Sequence, residues 1–238
     1  MLVSLLFVAL VAAPPFQAAA AEDPDRLYVD RENLASAQRA AAIWEERLGA
    51  DPSSFESAWK LARMAYWLGG HVPADDQRRE YERGLDAGRR AAALQPQRPE
   101  GYFWMAANMG ALAESFGLRN GLRYRGAIKD ALEMVLEIDP AYLQGSADRA
   151  LGRWYDRVPR LFGGSDSRAV EHLQRSLTYN PDSTISHFFL AETLLDMGRE
   201  DEAKAELQKV LDAPLSADWA PEDREFKQKA KTRLAELE

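Results

Sequence analysis

Residues 184–214 read TISHFFLAETLLDMGREDEAKAELQKVLDAP. Leu190, Ala191 and Leu194 are spaced at one, three and four, which places them on one side of a helix. Gly198 stops that helix. Ala203, Leu207 and Val210 make the apolar stripe of a second helix, which Pro214 closes. The stretch is therefore two helices joined by a short turn.

The same closure recurs upstream: GADP (49–52), ALQP (93–96), EIDP (137–140) and TYNP (178–181) precede LDAP (211–214). The prolines are separated by 44, 44, 41 and 33 residues. Stepping back five, three and four from Pro181 gives Ser176, Leu173 and Ala169. The same steps give Val135, Leu132 and Ile128, then Ala91, Gly88 and Gly84, then Arg47, Trp44 and Ala40. Nearly all are small or apolar and share a helical face, so they define a packing side, with Arg47 marking an atypical first unit. A helix also precedes each of the last four, around 57, 101, 147 and 186, and no alternating strand pattern appears. Self-similarity at this period predicts a stack of helix hairpins held together by burial between neighbours. The expected fold is all-α: a solenoid of about ten helices, without a sheet. Its hairpin units fall at about 53–96, 97–140, 141–181 and 182–214. A lone helix at about 31–49 precedes them, and a charged capping helix at about 222–237 carries Phe226, Ala230 and Leu234 on one stripe. The residues beyond a standard unit are expected in connections around Gly69-Gly70, 117–126 and 158–164.

Residues 1–21 carry no charged side chain; Leu2 to Ala13 is apolar, and Pro14-Pro15 and Ala18 to Ala21 follow. This pattern predicts a signal peptide cleaved near Ala20 or Ala21, a linker over 22–30, and a periplasmic or secreted mature domain. An uncleaved anchor is the competing reading. The net charge of −8 makes the chain a poor ligand for nucleic acid or anionic membrane. With no cysteine, disulfides and thiolate chemistry are excluded.

The final hairpin resembles a tetratricopeptide repeat: Leu190, Ala191, Leu194, Gly198, Ala203, Leu207 and Val210 fall on that family's packing pattern. In such repeats the first helix of each hairpin lines a concave groove. The pairs Leu61-Ala62, Ala106-Ala107, Leu151-Gly152 and Leu190-Ala191 set the register. It points Trp59, Arg63, Tyr66, Trp104, Asn108, Arg149, Arg153, Asp156, Phe188 and Glu192 toward the groove. Aromatic rings beside a few polar groups suit a ligand of mixed character, and Arg149 with Arg153 are placed to share a carboxylate. The competing readings are structural. Trp104 belongs to an all-round apolar helix, as a core residue would. Asn108 satisfies its amide either on neighbouring backbone or on a ligand. Arg149 and Arg153 have Asp148 and Asp156 at hand.

The string LGRWYDRVPRLFGGSDSRAVEHLQRSLTYNP (151–181) carries a second resemblance. Pro159 ends a helix, Gly163-Gly164 makes a turn, and Ser165 or Asp166 caps the next helix. This looks like the T component of tripartite ATP-independent periplasmic (TRAP) transporters, although many members are lipoproteins and this chain lacks the cysteine.

Catalytic patterns are absent. His71, His172 and His187 are not spaced as a metal site. There is no GxSxG, and GLRNGLRYRG (117–126) lacks the strand and GK[ST] of a phosphate loop. It reads as an exposed connection, or as an arginine surface (Arg119, Arg123, Arg125) for an acidic partner. No enzyme, metal or cofactor is expected. The expected function is an exported, non-enzymatic protein that holds a protein partner in its concave groove. The alternative, implied by the second resemblance, is a TRAP accessory component that binds a hydrophobic small molecule and a solute receptor, with self-association.

Overall fold

The computed structural model describes residues 22–237. The leader expected over 1–21 lies outside them. Eleven α-helices and one 3-10 turn make up the described fold, with no strand among them. In chain order the helices are α1 (Pro24–Val29), α2 (Leu34–Ala50), α3 (Phe55–His71), α4 (Ala74–Leu94), α5 (Pro99–Ser115) and α6 (Leu118–Ile138). They continue as α7 (Ser146–Arg157), α8 (Asp166–Tyr179), α9 (Thr184–Asp196), α10 (Glu200–Asp212) and α11 (Ala220–Glu236). The hairpins are α3–α4, α5–α6, α7–α8 and α9–α10. Ser54, Ser165 and Ser183 cap α3, α8 and α9 by accepting from the backbone N–H three residues on.

The proline-anchored register is the packing face. Ala40, Trp44, Gly84, Gly88, Ala91, Ile128, Leu132, Val135, Ala169, Leu173 and Ser176 are buried, and Arg47 is exposed. Glycine in that row lets helices touch. A Cβ on Gly88 would stand 2.7 Å from the Met105 backbone nitrogen, so α4 and α5 approach more closely there than any side chain allows.

Two of the three long connections expected between paired helices are not loops. Gly69 and Gly70 lie inside α3, where the Tyr81 ring fills the space a Gly69 side chain would need. Gly117, at φ 85°, caps α6, which runs straight through 118–126. The extra residues lengthen α4 and α6 to 21 residues each. Glycine weakens a helix by about 1 kcal/mol relative to alanine, a cost that close packing outweighs. The turn at 158–164 does form: Gly163 takes φ 105°, a Cβ on Gly164 would collide with the Val158 carbonyl, and Ser165 caps α8. The stretch 22–30, expected as a linker, carries α1.

The two ends of the stack meet. Arg31, 3% exposed, donates from Nε (3.2 Å) and Nη2 (2.6 Å) to the Glu222 carboxylate and from Nη2 to the Asp218 carbonyl (3.0 Å). Its guanidinium lies over Tyr28 and Trp67, whose indole N–H donates to the Arg31 carbonyl (3.0 Å). Arg224 pairs with Glu32, and His71 Nε2 lies 2.6 Å from Glu225. Helix α11 thus spans from the last hairpin, where Phe226 packs on Phe188 and Phe189, back to the first. These contacts tie the last helix to the first unit.

Candidate binding site

On the inner side of the first unit, α1 lies against α3. Lys60 Nζ reaches Asp25 at 2.7 Å, and the Arg63 guanidinium is sandwiched between the rings of Tyr28 (3.6 Å) and Trp59 (4.9 Å). Burial lowers the Arg63 pKa, against the attraction of Tyr28 and Asp25. Trp59 and Arg63 are therefore covered by the chain's own N-terminal helix.

In the last unit the covering element is α11. Phe188 meets Phe226 at 5.4 Å, and Glu192 accepts from Arg233 at 3.0 Å. Between the two ends, Arg153 turns to Glu114 (3.1 and 3.2 Å) and stands over Phe189. Asp156 accepts from Thr193 (3.1 Å); its burial raises the carboxyl pKa despite Arg157 and Arg153 alongside. The carboxylate shared by Arg149 and Arg153 has no counterpart in this geometry, because Arg153 is committed to Glu114 and Asp156.

Asn108 is fully buried. Its Nδ2 donates to the carbonyls of Ala62 (3.0 Å) and Trp104 (2.7 Å), tying α5 to α3, and its amide fits the notch left by Gly84. This is the backbone-satisfying alternative for that amide, and its Oδ1 has no donor among the described residues. Trp104 is 4% exposed with Phe103 edge-on at 5.0 Å.

Two of the ten candidates have another character. Tyr66 is 42% exposed, tilted against Tyr81 and Trp104, yet burial first, then Tyr81, pushes its phenol up to about 12. Arg149 has no hydrogen bond or ion pair on its guanidinium among the described residues. Burial lowers its pKa to about 10, opposed only by Tyr66. It lines a pocket of about 230 Å³ between the turns before α7 and α9 and the loop before α11.

Sequence reasoning passed over Tyr28, Arg31, Tyr142 and Trp219, which line or close the same interior. Arg31 and Glu222 are 191 residues apart, so no local spacing links them. All three histidines are explained by partners: His172 by Asp148 (2.7 Å), His187 by Glu206 and the Pro181 carbonyl, His71 by Glu225. No cluster suited to a metal ion occurs among the described residues, and no described helix is long and apolar enough to cross a membrane. The arginines of 117–126 sit on α6 and its rim: Arg125 covers Phe162, and Arg123 covers Tyr124.

Helix hairpins packed in this register define a tetratricopeptide-repeat protein. A thermophilic repeat protein of this kind from Thermus thermophilus, TTC0263, superposes with a TM-score of 0.67 at 25% identity, over 89% of this chain and 97% of that one. MamA superposes at 0.53 with 18% identity over 89% and 99% of the two chains. MamA 41-end from Desulfovibrio magneticus RS-1 does so at 0.54 with 17% identity over 82% and 97%. No curated protein sequence matches the chain. The family model of the TRAP transporter T-component matches residues 37–237, and the chain belongs to that family.

Proposed function

We propose that this chain is an exported, non-catalytic accessory component of a TRAP-type transport system, and that it works by holding a small ligand inside its closed helical stack. One observation carries the reading. The inner faces of the first and last units are covered by α1 and α11, so Trp59, Arg63, Phe188 and Glu192 pack against the chain itself instead of lining an open strip. A peptide bound along a groove needs an exposed strip several turns long, whereas an enclosed site with few polar groups suits a small molecule. Family membership supports the transport setting, and the apolar run at 2–13 supports export.

A protein-partner reading is favoured by a different surface. Leu161 is 88% exposed at the tip of the 158–164 turn, beside the half-exposed Phe162, and is placed to meet another protein outside the interior.

Native mass spectrometry of the exported chain, alone and mixed with the solute receptor of a TRAP system, separates the two. The transport reading expects a bound small molecule and a complex with the receptor. A ligand-free chain that ignores the receptor refutes it.

A further inference from the structure

Leu161 is the most exposed large apolar side chain among the described residues. Its exposure is built into the backbone. The N–H groups of Phe162 and Gly164 donate to the Pro159 carbonyl (2.8 and 3.3 Å), that of Gly163 to Arg160 (3.1 Å), and that of Ser165 back to Tyr155 on α7 (2.9 Å). Gly163, at φ 105°, and the missing Cβ of Gly164 permit this tight return. The turn therefore holds Leu161 outward with Phe162 beside it. A single exposed leucine is ordinary on a protein surface; its surroundings are what give it a partner.

Those surroundings are cationic. The chain carries a net charge of −8, yet no Asp or Glu stands between Glu114 and Asp130 or between Asp156 and Asp166. The two acid-free segments meet in space. The Arg125 guanidinium lies 5.3 Å from the Phe162 ring centre, and the Arg125 carbonyl accepts from the Trp154 indole at 2.8 Å, which ties α6 to α7. Arg119 and Arg123 are four residues apart on the exposed side of α6, opposite the buried Ile128, Leu132 and Val135. Arg160 is paired with Asp166 at 2.5 Å, whereas Arg119, Arg123 and Arg125 have no ion pair among the described residues.

We infer that the 158–164 turn and the first half of α6 form one docking surface for an acidic protein partner. Leu161 enters an apolar recess of that partner, and Arg119, Arg123 and Arg125 meet carboxylates around it. Charge complementarity selects the occupant: the guanidinium fork matches a carboxylate, and arginine is enriched at protein interfaces. A lipid surface fits less well. A whole myristoyl chain gives only marginal membrane attachment, one leucine offers far less, and the acidic bulk of the chain would face an anionic plane. The inference deepens the protein-contact reading of Leu161 and rests on it.

The test uses the purified chain without its leader and three short synthetic peptides of equal length. One is glutamate-rich with leucines, one replaces its glutamates by lysine, and one replaces its leucines by serine. Affinity is read by fluorescence anisotropy and location by backbone amide shifts in NMR spectra. The glutamate–leucine peptide should bind best, with shifts confined to 117–126 and 158–164. Arg123→Glu should weaken it about fivefold or more at an unchanged melting temperature, because Arg123 is exposed. Arg89→Glu, the same charge change at an exposed site on α4, should not. The inference is overturned if the acidic peptide does not bind, if either other peptide binds as tightly, if the shifts fall elsewhere, or if the two variants lose affinity equally. Sedimentation of the chain with phosphatidylglycerol vesicles would assign the surface to lipid and overturn it too. Receptor capture that survives Leu161→Asp removes the protein-contact reading beneath it; capture lost in Leu161→Asp but unchanged in Arg123→Glu leaves that reading standing and overturns this one.

Discussion

Replacing Arg31 by alanine should open the stack. Arg31 donates two hydrogen bonds to Glu222, one to the Asp218 carbonyl and one to the Tyr28 carbonyl (3.2 Å), and covers two aromatic rings. Breaking a buried pair by removing one partner costs about 3–5 kcal/mol. Glu222 keeps 16% side-chain exposure and can rehydrate partly, so the lower end, about 3 kcal/mol, applies. At roughly 2–4 °C per kcal/mol for a domain of this size, the melting temperature should fall by about 6–12 °C. Stability alone does not report opening. The chain has no cysteine, so spin labels on Gln38→Cys and Gln228→Cys, both exposed on α2 and α11, measure the distance across the closure. Parent protein should give one narrow distance distribution, and Arg31→Ala a longer, broader one. A narrow, unshifted distribution in the variant, with a loss under about 1 kcal/mol, refutes the claim that this contact closes the stack.

Four further outcomes follow from single contacts. Burial opposes charging His71, but Glu225 and the Trp67 carbonyl outweigh it and raise its pKa, with Glu222 adding to the attraction. A raised histidine pKa gives stability that is full below the unfolded value and lost as pH rises through the folded one. The melting-temperature gap between parent and His71→Gln should therefore shrink from about pH 6 to about pH 8. Arg149→Met should stabilise the ligand-free chain: a guanidinium pKa lowered from 12.5 to about 10 corresponds to an upper bound of ~3 kcal/mol, present in full at neutral pH because both values lie above it. Equal or lower stability by chemical denaturation contradicts that. Gly88→Ala, whose Cβ meets the Met105 backbone, should cost about 1–3 kcal/mol in the same assay. Leu161→Asp should leave stability within about 0.5 kcal/mol while weakening any protein contact made outside the interior, read by receptor capture on a biosensor surface.

The repeat was legible because it is written locally. Each proline ends a helix, and steps of three and four from it land on residues that are buried in the structure. Arg47 broke the pattern in sequence and is exposed in space. The boundaries inside the units were misread where glycine stood for a stop: Gly69 is a contact for Tyr81, and tertiary packing overrode its helix propensity. The groove was harder. The register identified inner-side residues from four helices, but what faces them comes from α1 and α11, at the opposite ends of the chain. Trp59 and Arg63 meet Tyr28, and Phe188 meets Phe226, through contacts that no periodicity encodes. Arg149 was placed on the inner face by the register, and its lack of a partner among the described residues depends on where the carboxylates around it point.

Closure changes what a helical stack can do. In an open solenoid each hairpin touches only its neighbours, and the concave face stays available along its length. Here α11 places Glu222, Arg224 and Glu225 against Arg31, Glu32 and His71, so the first and last units are coupled directly. These three contacts are ionic or titratable, whereas the interfaces between hairpins combine an apolar core with single polar ties such as Asn108 to Ala62 and Thr193 to Asp156. The joint between the two ends is therefore the one whose direct contacts respond most to pH and salt. Parting that joint would uncover the inner faces of the first and last units without unpacking any hairpin.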